Sequence, residues 1–151
     1  MFSVELIDSK ETHTLRQMVL RPTLTIEQVG MDHDDHATSF HVGARCDDTG
    51  NILAIMTVMR DPLPDGQPGS DAMAWRIRGM ASHPEARGTG AGGAVLAFGM
   101  AHAWSRHNDL IWCNARRVAY GFYERYGFGY ESDEFDIEGI GPHKVMAINP
   151  S

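Results

Sequence analysis

Cysteine is scarce: Cys46 and Cys113 are the only two in 151 residues, too few for a disulfide framework and too far apart for a metal-type pair. With nine methionines beside them, they suit a reducing compartment, and cytoplasmic residence is expected. Long apolar runs are missing too. The two longest, residues 52–59 and 92–101, fall well short of the roughly 18 residues a spanning helix needs, so no membrane partner is expected. Glu5 and Asp8 interrupt the N-terminal residues, which carry no basic-then-apolar secretion pattern. Positive charge is in deficit, with 13 Lys and Arg against 20 Asp and Glu for a net charge of -7. Nucleic-acid affinity comes from phosphate neutralisation, so this balance argues against a polyanionic partner and towards cationic or neutral ligands.

What is present is ordinary for a globular chain: 42% hydrophobic and 22% charged residues, at a length typical of one domain. Residues 1–151 contain no linker that would divide them, and a single domain of this size buries about 70% of the surface its unfolded chain exposes.

Local patterns give the order of elements. An apolar start at residues 2–7 precedes a helical pattern in which Leu15, Met18 and Val19 share one face, with Ser9 as its cap and Pro22 beyond its end. Residues 30–35 read as an irregular acidic loop. Phe40, Val42, Ala44 and Cys46 alternate with polar or small residues, Asp47 to Gly50 supplies turn chemistry, and residues 52–59 resume an apolar run, which predicts a hairpin. A loop rich in Pro, Gly and Asp follows over residues 61–71, then a strand-like segment over 73–81. Val95, Leu96, Met100, Ala103 and Trp104 recur at helical spacing. Residues 110–113 predict a short buried strand, 116–126 a second helix stopped by Gly127, and 134–137 and 144–148 two final strands. Strands, then strand-helix-strand-helix, then strands, predicts an α/β fold with a mixed sheet in which a parallel pair flanks the glycine-opened helix.

The chemistry is concentrated in Arg87-Gly88-Thr89-Gly90-Ala91-Gly92-Gly93, between a strand and a helix. Backbone N–H groups and the positive end of the helix dipole converge there, and glycines let a phosphate approach the backbone, although a loop that merely turns the chain would look alike. A Walker loop is excluded because Gly93 and Ala94 stand where Lys and Ser or Thr are required. Gly88-x-Gly90-x-x-Gly93 matches the dinucleotide fingerprint literally, but Asn114 occupies the neighbourhood in which that motif needs an acid.

Arg87-x-x-Gly90-x-Gly92 follows Met80-Ala81-Ser82-His83-Pro84-Glu85, and two further blocks come after it, Trp112-Cys113-Asn114-Ala115-Arg116 and Phe122-Tyr123-Glu124-Arg125-Tyr126-Gly127-Phe128. Together they resemble the acetyl-CoA pyrophosphate motif of the GNAT superfamily of N-acetyltransferases and the block that follows it. The resemblance covers roughly residues 70–148; the first seventy carry no diagnostic motif. It implies a mostly antiparallel sheet with a central splayed parallel pair flanked by helices, and acetyl transfer to a small-molecule or peptide amine, with a homodimer left open. A catalytically silent acyl-CoA-binding sensor is the alternative.

The same resemblance implies roles for individual residues. Met80, Ala81 and Ser82 would pair with the pantetheine arm. Arg87, Gly88, Thr89, Gly90, Ala91 and Gly92 would hold the pyrophosphate, Ser82 and Asn114 would mark the splay, and Asn114 would contact the cofactor. Tyr123 matches the tyrosine that protonates the departing thiolate, a role that a phenol of pKa near 10 can fill; its alternative is a core aromatic. Cys113, in an apolar strand, reads as core rather than nucleophile. Many members carry a glutamate on the strand before the loop, but here it reads Ala74-Trp75-Arg76-Ile77-Arg78-Gly79. Arg78 then either binds substrate or pairs with Glu134 or Asp136, and Glu134 and His143 are the candidate bases. His33, Asp34, Asp35 and His36 resemble metal ligands, but adjacent loop positions seldom converge on one ion; a solvated acidic loop and no metal are expected.

Overall fold

Alternating apolar and polar residues build the first half of the sheet as a meander. In the computed structural model, which describes residues 1–151, β1 (Phe2–Ile7) runs antiparallel to β2 (Phe40–Cys46). β2 turns at Gly50, whose φ of +77° suits glycine, into the antiparallel β3 (Ile52–Arg60). β3 then pairs with β4 (Trp75–Ser82). The chain crosses over through α2 (Ala91–Arg106), numbered after α1 (His13–Leu15), and returns as β5 (Ile111–Arg116), parallel to β4. α3 (Tyr120–Arg125), β6 (Gly129–Tyr130), β7 (Phe135–Ile137) and β8 (Gly141–Ile148) complete an eight-stranded sheet of order β1-β2-β3-β4-β5-β8-β6, with β7 also on β8. β4 and β5 are its one parallel pair, the arrangement expected of a strand-helix-strand crossover. No helix is long and apolar enough to cross a membrane.

The main core lies between α2 and one sheet face, where Val95, Leu96 and Ala103 pack against Val42, Met56, Val58, Trp75 and Ile77. The N-terminal helical segment covers the other face. It differs from the single helix expected: a 3₁₀ turn (Ser9–Thr12), α1, and a π turn (Arg16–Leu20) follow one another. Asp8, not Ser9, is the cap, with the Glu11 side chain accepting the Asp8 N–H at 3.1 Å. Met18 faces outward at 44% exposure, whereas Arg16 is fully buried.

The cause is a buried ion pair. Arg16 donates to both carboxylate oxygens of Asp34, at 2.7 and 2.8 Å, and to Thr57 Oγ1 at 2.7 Å. His41 joins Thr57 Oγ1 to the Asp34 carbonyl, with both contacts at 2.8 Å. A buried guanidinium cannot shed its charge, so it needs a carboxylate partner. The solvated reading of the acidic loop fails at one residue: His33, Asp35 and His36 are exposed, whereas Asp34 is 8% exposed and anchors residues 30–36 against the sheet.

Candidate active site

A bulge in β4 creates the opening. Thr57 faces Arg78 and Ile55 faces Ala81, so Met56 opposes two residues, Gly79 and Met80. Gly79 takes φ +62°, a conformation that glycine adopts without strain and that bends a bulged strand. Pairing between β4 and β5 stops at Ile77 and Cys113. Arg78 and Asn114 are therefore the first unpaired residues on the diverging strands. The splay begins four residues before Ser82, the position expected from sequence, because the bulge rather than the strand end sets it.

Between the diverging strands lies a cavity of about 520 Å³. Met80, Ala81, Ser82 and Arg87 line it on the β4 side, and Asn114 and Tyr123 on the other. Asn114 Oδ1 is buried without a hydrogen-bond partner, an acceptor waiting for an N–H donor.

The glycine loop lies at one end of this opening. Its amides alternate between engaged and free as far as Gly92. Those of Arg87, Thr89 and Ala91 are engaged within the loop, by Pro84 O, Ala86 O and Thr89 Oγ1, while those of Gly88, Gly90, Gly92 and Gly93 have no partner in the chain. Thr89 Oγ1 also bonds the Ala86 carbonyl. Arg87, Thr89 and Ala91 thus shape the loop, and the outward donors are the glycines, including Gly93, which the motif did not single out. Gly90 caps α2 with φ +86°, and nothing in the chain lies within 4 Å of where its Cβ would be. Open space, free N–H groups and a 16-residue helix behind them form an anion cradle.

Tyr123 is 4% exposed, edge-on to Phe122 and Phe128, and lines the cavity from α3. Burial raises its phenol well above the usual value, and the neighbouring Cys113 thiol adds to the shift, so the group stays protonated. Burial pushes the Cys113 thiol up to about 12, which makes a thiolate nucleophile inaccessible near neutral pH.

The two candidate bases separate. His143, 3% exposed, lines the cavity and faces Arg116 across the β5–β8 pair. Its Nδ1 donates to the Gly141 carbonyl at 2.7 Å, which leaves the lone pair on Nε2. Glu134 does not line the cavity; Arg117 binds it through two contacts of 2.6 and 3.0 Å, and the Tyr120 hydroxyl donates to it at 3.0 Å. The Arg117 bonds hold its carboxyl down to about 2, too acidic for a base near neutrality.

Arg78 has neither partner considered from the sequence, since Glu134 is taken by Arg117 and Arg78 makes no ion pair. Its neighbour Arg76 pairs with Asp61 at 3.1 Å and lies over the Trp112 ring. Arg21 and Arg116, absent from the sequence-based site, also line the cavity. Arg116 was legible in principle: it alternates with Asn114, two residues on, and extending the predicted strand past Cys113 would have put both on one face. No group of three or more His, Cys, Asp and Glu side chains assembles a metal site.

Comparison with known proteins bears on this geometry. A family model described as an acetyltransferase (GNAT) domain matches residues 38–129. YitI, an uncharacterized N-acetyltransferase of Bacillus subtilis (strain 168), is 33% identical over 146 residues, covering 97% of this chain and 95% of its own. Among solved structures, an acyl-CoA N-acyltransferase from Pseudomonas aeruginosa superposes with a TM-score of 0.67 at 19% identity, over 97% of this chain and 99% of that one. An aminoglycoside 6'-N-acetyltransferase complexed with coenzyme A gives a TM-score of 0.72 at 12% identity, over 97% and 96%. At these identities the structural likenesses speak for the fold alone.

Proposed function

The chain belongs to the GNAT family of acetyltransferases, and on that premise we propose that it moves the acetyl group of acetyl-CoA to a primary amine by direct attack within a ternary complex. Acetyl-CoA supplies an activated thioester. The observation that carries the reading is the opening between Arg78 and Asn114, with a protonated phenol in its wall and free loop amides at its end.

The amides of Gly88, Gly90, Gly92 and Gly93, with the Arg87 guanidinium at the rim, bind the pyrophosphate. The free edge of Met80, Ala81 and Ser82 pairs with the pantetheine arm, and Asn114 Oδ1 accepts an amide N–H from it. His143 Nε2 takes the proton of the attacking amine, through water, as the N–C bond forms. Tyr123 delivers its proton to sulfur as the C–S bond breaks. Burial makes the phenol a weaker acid but also makes a bare thiolate costlier, so the two effects offset. Cys113 stays in the core.

The test is amine-dependent release of coenzyme A, with the acetylated product identified by mass spectrometry across neutral, cationic and anionic amines. Acetylated product from at least one amine, lost in Tyr123→Phe, is the expected result. Tight coenzyme A binding without product from any amine would instead make the chain a silent sensor.

A further inference from the structure

The cavity wall carries charge of one sign. Six arginines (Arg16, Arg21, Arg76, Arg78, Arg87 and Arg116) and His143 line it, and no aspartate or glutamate does. In a chain with 20 carboxylates and a net charge of -7, that exclusion runs against composition. Two of the arginines are neutralised from behind, Arg16 by Asp34 and Arg76 by Asp61. Arg87 belongs to the pyrophosphate end. Three remain.

Arg78 is half-buried and its guanidinium makes no hydrogen bond or ion pair in the chain. Arg21 is half-buried and likewise lacks a carboxylate. Arg116, half-buried, makes a single side-chain hydrogen bond, to the Leu20 carbonyl at 3.3 Å, and the like charge of Arg21 acts on it. Partly desolvated cations crowded against like charges cost free energy, and folded chains normally place carboxylates beside them. Asp34 and Asp61 favour the Arg78 charge from a distance and offset that cost in part, but their carboxylates bond to Arg16 and Arg76 and make no contact with Arg78. Burial, then Arg76 and Arg16, disfavours the charged form of Arg78, and burial, then Arg21, does the same at Arg116. An oxyanion relieves both.

Position says which ligand supplies it. Arg78 and Asn114 open the slot, Asn114 and Arg116 alternate on one face of β5, and His143 faces Arg116. The unneutralised arginines therefore share the cavity wall with His143, and Arg87 alone among the cavity arginines belongs to the glycine loop. Resting on the transferase reading above, we propose that the acceptor is a small amine that also carries an oxyanion, a carboxylate or a phosphate, bound by Arg78 and Arg116 with Arg21 at the rim. The amine then points at His143, and the charge that counts for acceptor choice is opposite to the one composition suggested.

The test uses the full chain with acetyl-CoA and four probes: L-glutamate, 2-aminoethyl phosphate, ethanolamine and spermidine. One or both oxyanion-bearing amines should exceed ethanolamine and spermidine at least tenfold in kcat/KM, and which of them leads separates carboxylate from phosphate. In Arg78→Gln and Arg116→Gln the KM for the preferred probe should rise about tenfold or more, the loss of one charge-assisted hydrogen bond. Coenzyme A affinity and melting temperature serve as checks that these variants fold. Calorimetry of the same probes on the coenzyme A complex supplies a readout without turnover. Oxyanion-selective binding without acetylation would count against the transferase reading and leave the arginines as an oxyanion-binding site without an acceptor role. Acetylation of ethanolamine or spermidine as efficient as that of both anionic probes, absence of selective binding, or a KM unmoved in folded arginine variants would overturn the oxyanion proposal and leave the transferase reading standing.

Discussion

Replacing Tyr123 with phenylalanine removes one oxygen and leaves the ring edge-on between Phe122 and Phe128. The hydroxyl's neighbour in the chain is the Cys113 thiol, a weak partner, so its loss should cost about 1 kcal/mol of stability or less. Catalysis has more to lose. A thiol of pKa about 8.5 that leaves unprotonated at pH 7 forfeits about 2 kcal/mol, roughly thirtyfold in rate. That is the aqueous figure. The slot that pushes the Tyr123 phenol upward also desolvates the leaving sulfur, which moves the expected loss to about 10² to 10⁴ in kcat. The assay is steady-state turnover with both substrates saturating, beside calorimetric affinity for coenzyme A, which should change little. Tyr126→Phe is the control, since the Tyr126 hydroxyl fills the space a Cβ on Gly93 would take and any effect should fall on cofactor affinity. Tyr120 is a poorer control because its hydroxyl donates to Glu134. If Tyr123→Phe keeps more than a third of wild-type kcat while chemistry limits the rate, the proton-donor argument fails.

Gly90→Val should weaken coenzyme A binding about tenfold or more, because its Cβ would stand among the free amides and φ +86° adds roughly 1–2 kcal/mol of strain; unchanged calorimetric affinity in a folded variant would remove the loop from the site. With an alkylamine acceptor, kcat/KM should rise from pH 6 to 9, since an amine of pKa about 10.4 is only about four parts in ten thousand neutral at pH 7; a flat profile at saturating acetyl-CoA would contradict this. Asp34→Asn should cost about 3–5 kcal/mol, on the order of 10 °C in melting temperature, by stranding the buried Arg16 charge. Burial alone would raise the Asp34 carboxyl, but the bonds from Arg16 and the Met31 N–H outweigh it and hold it below its ordinary value. The wild-type contribution is then complete above the unfolded pKa of about 3.9 and lost as pH falls through the lower folded value, so acid melting curves of wild type and Asp34→Asn should converge; a constant gap would refute the sign.

How much was legible follows from the range of each interaction. The hairpin, the glycine-opened helix and the parallel crossover are written in local periodicity and turn chemistry, and the glycine loop with the block around Tyr123 is written in contiguous residues. Charge pairing is not local. Arg16 and Asp34 lie 18 residues apart, and Arg117 and Glu134 17 apart, so no spacing rule connects them. Each pairing decides the fate of a third group: once Arg117 holds Glu134, Arg78 has no carboxylate and Glu134 is no base. The splay opens at Asn114 on β5 as expected, but on β4 at Arg78 rather than Ser82 for a similar reason, since that end depends on which residue of β3 opposes Gly79, a register that neither strand encodes alone. Net charge alone does not choose a ligand, because a cavity responds to the charges that line it and screening hides the rest beyond about 10 Å. The 20 acidic residues act in solvent or as counterions behind the wall, while the slot between Arg78 and Asn114 has arginines at its surface. On the oxyanion proposal, acceptor selection rests on Arg21, Arg78 and Arg116, the cavity arginines that no carboxylate of the chain pairs with and that no pattern in the sequence sets apart from Arg16 and Arg76.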